Sequence, residues 1–307
     1  MSEDLPAVAR ARMASIRSSG TWGSALTTEE FAAIRSVGFE PVGQVFGAAV
    51  YSAGDTAYTC PGVWRPPGDG TPARPATRVS GREGAGSFGP LVQARYQARH
   101  AAIDRMTAEC AELGGNGVVG VRLSRGPFAL GGAEFRAIGT AVRAPGAVPG
   151  PPALFTSDLS GQDFAKLIMA GWVPAGLVLG ISIGARHDDR ATARQTRWTS
   201  GNAEVAGWTE LVSSSRHDAR LQLESDVRRL GAEGVVIAAM SMQVRQQDCP
   251  TTVGRRDHVV EATLVGTAIA GFTRAGPGGT GPALAVMSLD PRRADGWSRG
   301  PEPRFVR

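Results

Sequence analysis

The sequence predicts an α+β protein that consists of two tandem β-α-β-β units, each with one long helix packed on a small sheet. The first observation is internal similarity, because three blocks recur in the same order in both halves of the 307-residue chain. The matched blocks are 26–50 with 159–183, 113–121 with 230–238, and 139–144 with 266–271. The second observation is that each half combines helical and strand-like spacing of its apolar residues. Together these observations indicate a tandem duplication.

Each unit is predicted to begin with a short helix and a strand. In the first unit, Thr27 or Thr28 can cap a helix that carries Glu30 in its first turn. Small residues alternate with branched ones over residues 41–51, a pattern that suits a strand lying close to another backbone. The apolar run 170–185 occupies the matching position in the second unit. It is short for a bilayer span, so we interpret it as a strand.

A long helix and two closing strands complete each unit. The helix predicted over residues 91–113 has one apolar face, formed by residues spaced three or four apart: Ile103, Met106, Cys110 and Leu113. The matching positions of the second unit are also apolar: Leu223, Val227 and Leu230. A glycine follows each helix, as is typical of a helix end. The closing strands are predicted at 118–123 and 134–143, and at 235–242 and 261–270.

The offset between matched blocks changes along the chain and so locates two insertions. The first unit has about 16 extra residues in a Pro/Gly/Arg loop at 61–90. The second has about 10 extra residues around 246–258, which we expect to form a surface loop. The predicted organisation is a basic N-terminal arm at 1–20, units at 21–143 and 154–274, a Pro/Gly linker at 144–153, and a disordered tail at 275–307.

The chain is basic, with 33 Lys and Arg against 28 Asp and Glu, but the excess is localised. It falls in the N-terminal arm, the 61–90 loop and the tail, which leaves the predicted units neutral. Nucleic acid would therefore have to bind these segments, with Trp64 and Trp297 as stacking partners. We consider nucleic-acid binding the weaker interpretation and solubilising arms the better one. The apolar segment 282–289 in the tail is a candidate for binding a protein partner or the parent assembly.

The location predicted from the sequence is the cytoplasm. The first 20 residues lack the apolar stretch of a secretory signal. The three cysteines, Cys60, Cys110 and Cys249, are odd in number and lack the spacing of a metal site. This usage is typical of a reducing compartment without a disulfide framework.

At this point the residues resemble a known family. The motif Leu-Gly-x-x-x-Val-Val at 113–119 and the closing Gly-Thr-Ala-Val at 139–142 resemble the YbjQ family, which is labelled "putative heavy-metal-binding domain". Ser80-Gly81-Arg82 before the long helix and Thr156-Ser157-x-Leu159 are similar to that family as well. The resemblance implies a dodecin-like fold and pentameric rings with no established biochemical role. The second unit departs from the first at Ile237, which stands in place of Gly120.

A chain of two units cannot complete a single ring of five units. We expect a homopentamer with two stacked rings or, alternatively, one ring with an even number of units. The candidate residues for the interface between chains are His100, His217, Gly43 and Gly176.

The sequence offers only scattered ligands for a metal ion. His187, Asp188 and Asp189 form the densest cluster, which Cys249 could join through the fold, so these four are the metal candidates. Cofactors are predicted to be absent, with a divalent metal as the one exception considered. Arg82, beside the start of the long helix, is the candidate for binding an anion.

Two motifs imitate catalytic sites. The GxGxxG match at 84–89 follows no strand, and the GxSxG match at 296–300 lies in the tail, so we predict no catalytic residue. The predicted function is a non-enzymatic, ring-forming oligomeric scaffold or binding protein of unestablished biochemical role. The alternative is a metal-ion-binding or small-ligand-binding protein.

Overall fold

A computed structural model of the protein describes residues 5–52, 77–80, 88–129, 132–144, 154–198, 201–249, 254, 256–271 and 287–288. The predicted α+β class is confirmed, because long helices pack on antiparallel strands. Arg82, Trp64, Trp297 and both catalytic-looking motifs, apart from Phe88 and Gly89, lie outside the described residues. Among the helices of the described residues, none is both long and apolar enough to cross a membrane.

The two halves of the chain have the same order of main elements. The first half contains α1 (Ala7–Ser19), α2 (Thr28–Ser36), β1 (Glu40–Ser52), β2 (Thr77–Val79), α3 (Gly89–Glu112), β3 (Gly117–Pro127) and β4 (Gly132–Arg143). The second half contains β5 (Phe155–Thr156), α4 (Gly161–Met169), β6 (Trp172–His187), α5 (Arg190–Gln195), α6 (Ala206–Arg229), β7 (Gly234–Asp248), β8 (Arg256–Gly271) and β9 (Met287–Ser288). A short helix, a strand, a 24-residue helix and two strands thus recur in each half.

The strands form two sheets that exchange short segments between the halves. The first sheet has the order β1-β4-β3-β5, and the second has the order β2-β6-β8-β7-β9. The long strands pair antiparallel, whereas β5 runs parallel to β3, with Phe155 opposite Gly117. In return, β2 of the first half pairs with β6 of the second, with Thr77 opposite Arg186. The first sheet therefore includes β5 of the second half, and the second sheet includes β2 of the first half.

Sheets and long helices alternate in four layers. α3 lies between the sheets, because its Met106 belongs to one apolar cluster with Val45 of β1 and Leu179 of β6. The Tyr96 hydroxyl of α3 also accepts a hydrogen bond from the Ile181 N–H at 2.8 Å. α6 covers the opposite face of the second sheet, where Leu223 packs in a cluster with strand residues such as Val178 and Leu264. The outer side of α6 is therefore left on the surface.

Several local predictions are confirmed. The Thr27 hydroxyl accepts a hydrogen bond from the Glu30 N–H, and the Glu30 carboxylate accepts one from the Thr27 N–H, so the short helix has a complete capping box. The apolar face of α3 is buried along its whole length. The matching face of α6 is buried at Leu223 and Val227, but Leu230, at the end of the helix, is 42% exposed.

Three segments differ from their predicted structure. The expected N-terminal arm contains α1, and its Met13 is fully buried because it enters the apolar cluster of α3. The insertion at 246–258 mainly lengthens β7 and β8, with Gln246 opposite His258, because the extra residues continue the antiparallel pairing instead of forming a loop. In the tail, β9 pairs with the start of β7. The rest of the segment 282–289 lies outside the described residues.

Candidate functional site

The best-defined surface of the protein is the junction between its halves. Residues 155–159, here called the second lead-in, add to the edge of β3 through four main-chain hydrogen bonds. Donor-to-acceptor distances are 3.3 Å for Phe155 N to Asn116 O, 2.8 Å for Ser157 N to Val118 O, 2.9 Å for Val121 N to Ser157 O and 3.1 Å for Gly120 N to Leu159 O. Gly120 has a φ of +68°, which turns its N–H toward the lead-in and which a branched residue adopts only with strain.

Aromatic packing supports the same junction. Phe164 of α4 is fully buried and lies 5.1 Å, between ring centroids, from Phe39, the residue just before β1. Phe155 stacks on Phe164 at 5.8 Å and meets the edge of Phe39 at 6.1 Å. Three rings from both halves therefore form one contact. The junction combines strand pairing with a buried apolar cluster, as a specific protein interface does.

The first half has a matching segment, residues 22–26, here called the first lead-in. It makes the same contacts within the first half that the second lead-in makes within the second half. Ser24 Oγ lies 3.2 Å from Thr140 Oγ1, and Ser157 Oγ lies 3.1 Å from Thr267 Oγ1. The next two residues repeat the pattern through Ala25 N, Leu26 N, Asp158 N and Leu159 N. Trp22 stacks on Phe31 as Phe155 stacks on Phe164. The two lead-ins thus share these hydroxyl hydrogen bonds and this ring stacking.

The edge of β7 is a long surface available for pairing. Only Gly234 and Val235 pair with β9, and among the described residues nothing else pairs with the outer side of β7. The exposed residues beyond this point include Met240 at 55% and Val244 at 57%. A long, exposed and partly apolar edge strand is a template for pairing with another chain. The hydrophobic pattern had identified the strand, but the sequence does not show which side of β7 stays open.

A second feature is a cleft of arginines between the sheets. The carboxylate of Glu261, which is 6% exposed, contacts the guanidinium groups of Arg95, Arg125 and Arg245. Burial, with added repulsion from the neighbouring arginines, lowers the pKa of Arg95 to about 9. The Glu261 carboxylate provides the opposite charge beside the buried Arg95 guanidinium. Beside them lies a cavity of about 500 Å³, lined in part by Tyr51, Leu91, Phe128 and Phe135. Sequence reasoning missed this cleft, because its residues come from distant elements.

The structure brings together two of the four predicted metal candidates. His187, Cys249 and a third residue, Asp257, place one possible ligand atom each within 4.8 Å of one another. Nδ1 of His187 is 2.7 Å from the Asp257 carboxylate. Imidazole, thiolate and carboxylate groups are the donors that zinc takes in proteins, so these three residues could hold such an ion. Asp257 was missed because it joins His187 only through the register of β6 and β8.

The other two metal candidates point elsewhere. Asp188 pairs with His258 at 3.2 Å and accepts a hydrogen bond from the Trp208 ring N–H. Asp189 caps α5 and pairs with Arg186. Both carboxylates therefore stabilise the local fold.

The interface candidates have mixed positions. His100 is half-buried and stacks on Tyr96, whereas His217 is exposed on the outer side of α6. Gly43 and Gly176 are both buried, and a Cβ on either would contact the leucine that follows the long helix of its half, Leu113 or Leu230. The two glycines therefore serve the packing of each sheet against the end of its long helix, and their place in an interface between chains stays a prediction.

The prediction that Cys110 belongs to the core is confirmed. Its side chain is fully buried, and the thiol donates a hydrogen bond to the Gly117 carbonyl at 3.3 Å. Burial raises the pKa of this thiol to about 12, so Cys110 is neutral at ordinary pH.

Comparison with known proteins gives two matches. The family model YbjQ, described as "Putative heavy-metal-binding", matches residues 84–145. The chain is also similar to a protein of Mycobacterium tuberculosis (strain ATCC 25618 / H37Rv) named encapsulin nanocompartment protein Rv1762c. The identity is 32% over 297 residues, which cover 94% of this chain and 99% of the relative.

The mycobacterial relative overturns the predicted function. The sequence led us to expect a ring-forming scaffold or binding protein of unestablished role, or alternatively a metal-ion-binding or small-ligand-binding protein. That prediction is wrong, because a relative aligned over nearly the whole chain is named for an encapsulin nanocompartment. The prediction followed the label of a family whose model matches only residues 84–145.

Proposed function

The chain belongs to the family of the encapsulin nanocompartment protein of Mycobacterium tuberculosis, and from this premise we propose that it is a non-enzymatic structural component of an encapsulin nanocompartment. The observation that carries the proposal is the extent of the alignment, which spans 94% of the chain and 99% of the relative. Both sheets and both long helices fall within a similarity of that length, so the proposal concerns the whole architecture.

The surfaces of the protein support a role in assembly. β7 has an outer edge with exposed Met240 and Val244, and β1 exposes Phe46 and Val50 on the first sheet. Apolar side chains on edge strands favour association with further protein chains. A component of a large protein assembly needs such surfaces, whereas a monomer usually protects its edges.

We further propose that the two halves are tandem copies of one unit. The shared element order supports this, as do the matching hydrogen bonds of Ser24 with Thr140 and of Ser157 with Thr267. The YbjQ match covers part of the first half, and the same unit is proposed for the second.

The chain is proposed to associate with copies of itself in the cytoplasm. Five chains per closed assembly, or alternatively an even number of units in one ring, stay predictions that native mass spectrometry can count. The tail segment 282–289 stays a prediction for the binding of a protein partner.

Sedimentation of a cell lysate tests the proposed function. We expect the chain, detected through an epitope tag, to sediment with closed particles that are visible by electron microscopy. The matched control is the same tag on an unrelated protein of similar mass, which should stay near the top of the gradient. Recovery of the chain only in small soluble species would contradict the proposal.

A further inference from the structure

We propose that the outer edge of β7 binds the first lead-in, residues 22–26, of a second copy of this chain. The junction inside the chain would then be repeated between chains, head to tail. This inference rests on the proposed function, because it names the surface through which copies of a nanocompartment component associate. Its observations are the hydrogen-bonding groups that the internal junction uses and their counterparts at the two ends of the chain.

The segment that docks, the first lead-in, is already held in place within its own chain. Ser24 and Leu26 hold the first lead-in through the same hydroxyl contacts that hold Ser157 and Leu159. In the junction, the main-chain N–H and carbonyl of Ser157 and the carbonyl of Leu159 bond to β3. Among the described residues, the same groups of Ser24 and Leu26 have no hydrogen-bond partner. A segment fixed in this way loses little conformational entropy when it docks.

The edge that receives the lead-in, on β7, is the counterpart of β3. At the offset of 117 residues, Val118 and Val121 correspond to Val235 and Ala238 of β7. Ala238 is exposed and falls in the register shift between Ile237 and Ala239, so it has no partner on β8. Its N–H is therefore placed to donate outward, as the Val121 N–H donates to the Ser157 carbonyl.

One position makes the contact between chains weaker than the internal junction. Gly120 donates to the Leu159 carbonyl from a positive φ, whereas its counterpart Ile237 pairs with Gly266 in the regular ladder. Docking on β7 thus lacks one of the four hydrogen bonds. A contact weaker than a covalently linked junction suits chains that must find and exchange partners during assembly.

Aromatic residues provide the apolar part of the contact. In the junction, Phe155 and Phe164 of the lead-in side meet Phe39 of the other half. The stacked pair Trp22 and Phe31 is the counterpart on the first lead-in, with ring centroids 6.1 Å apart. The counterpart of Phe39 is Trp172, which is half-buried at the start of β6. Trp22 of one copy is therefore expected to meet Trp172 of the next.

The tail covers part of the site in the single chain. β9 pairs with Gly234 and Val235, the positions that correspond to Gly117 and Val118, where β5 pairs with β3. The lead-in of a second copy and β9 thus compete for the same edge. We infer that β9 shields the edge of the isolated chain and is displaced on docking.

Complementary variants of the full chain test the inference by sedimentation equilibrium. Ala238→Pro removes the outward N–H from a residue that makes no pair with β8, and Ala238→Ser is the matched control that keeps the N–H. Trp22→Ala removes the aromatic contact of the first lead-in, the segment that docks on this edge. We expect self-association to weaken about tenfold in each of the two defective variants and to be unchanged in Ala238→Ser, with circular dichroism confirming that all of them fold.

Mixing separates head-to-tail docking from a symmetric contact of two β7 edges. The Trp22→Ala chain keeps an intact edge, and the Ala238→Pro chain keeps an intact lead-in. Head-to-tail docking therefore predicts a 1:1 complex of the two variants with wild-type affinity, and nothing larger. Trp22→Ala chains that self-associate like the wild type would indicate the symmetric contact and overturn the inference.

Proline at both positions of β9, Met287→Pro with Ser288→Pro, tests the competition. Self-association should strengthen severalfold if β9 shields the edge, and an unchanged affinity would overturn that step. The docking inference and the proposed function fail separately. If the chain is found in particles but its self-association is unchanged by Ala238→Pro, only the docking inference is refuted. If the chain docks as described but is absent from particles, only the proposed function is refuted.

Discussion

Replacing Gly47 with alanine should strongly destabilise the protein. An ideal Cβ on Gly47 would lie 1.9 Å from the Ala102 carbonyl oxygen and 2.6 Å from the Met106 nitrogen, both backbone atoms of α3. An ordinary contact needs more than 3 Å, so β1 and α3 must separate by about 1 Å or more. Because α3 is packed between two sheets, that movement also disturbs the contacts of α3 with the second sheet. We expect a loss of at least about 3 kcal/mol in the free energy of unfolding, the upper end of overpacking costs.

Gly180→Ala provides the comparison within the same chain. Its Cβ would lie 2.0 Å from the Ala219 carbonyl of α6, but α6 has an open outer side and can move away. The expected loss is therefore smaller than for Gly47→Ala, about 1–3 kcal/mol. Gly89→Ala is the control, since a Cβ there meets no atom within 4 Å. Urea unfolding measures all three. A loss below about 0.5 kcal/mol for Gly47→Ala, or a larger loss for Gly180→Ala, would refute the layered packing.

Further predictions concern buried groups and a helix cap. Glu261→Gln should lower the free energy of unfolding by about 3–5 kcal/mol in urea, because the buried Arg95 loses its counter-charge. The double variant Glu261→Leu with Arg95→Met should recover most of that loss. Phe164→Ala should cost about 3–5 kcal/mol in the same assay by emptying the junction. Thr27→Ala should cost about 1 kcal/mol, seen as a lower Tm. Burial raises the pKa of the Cys110 thiol from 9.0 to about 12, so its contribution is complete below pH 9 and is lost as the pH rises toward 12. Cys110→Val should remove that slope, up to about 1.4 kcal/mol per pH unit, from unfolding curves measured at pH 8 and 10.

The periodic elements could be predicted from the sequence because each one is encoded locally. The apolar face from Ile103 to Leu113 marks α3, and the small residues around Gly47 mark a strand that touches a helix backbone. The capping box of Thr27 is encoded within four residues. By contrast, α1 was predicted to be an arm, because the contacts that hold this arginine-rich helix, the buried Met13 and the pairing of Arg12 with Glu109, join it to a distant helix.

The candidate sites depend on the fold and were much harder to predict. Arg95 and Glu261 meet although a long stretch of chain separates them, and Asp257 reaches His187 only through strand register. The available edge of β7 follows from the sheet order, which places β7 outside β8. A single sequence shows which residues form a strand, but the neighbours of that strand are set by packing among distant segments.

Cryo-electron microscopy of particles isolated from cells through a tag on this chain is the most direct test of the proposed role. The account predicts closed particles whose density contains the alternating sheets and long helices of this chain in a repeated arrangement. Particles that lack this density, or a tagged chain recovered with no particle at all, would contradict it.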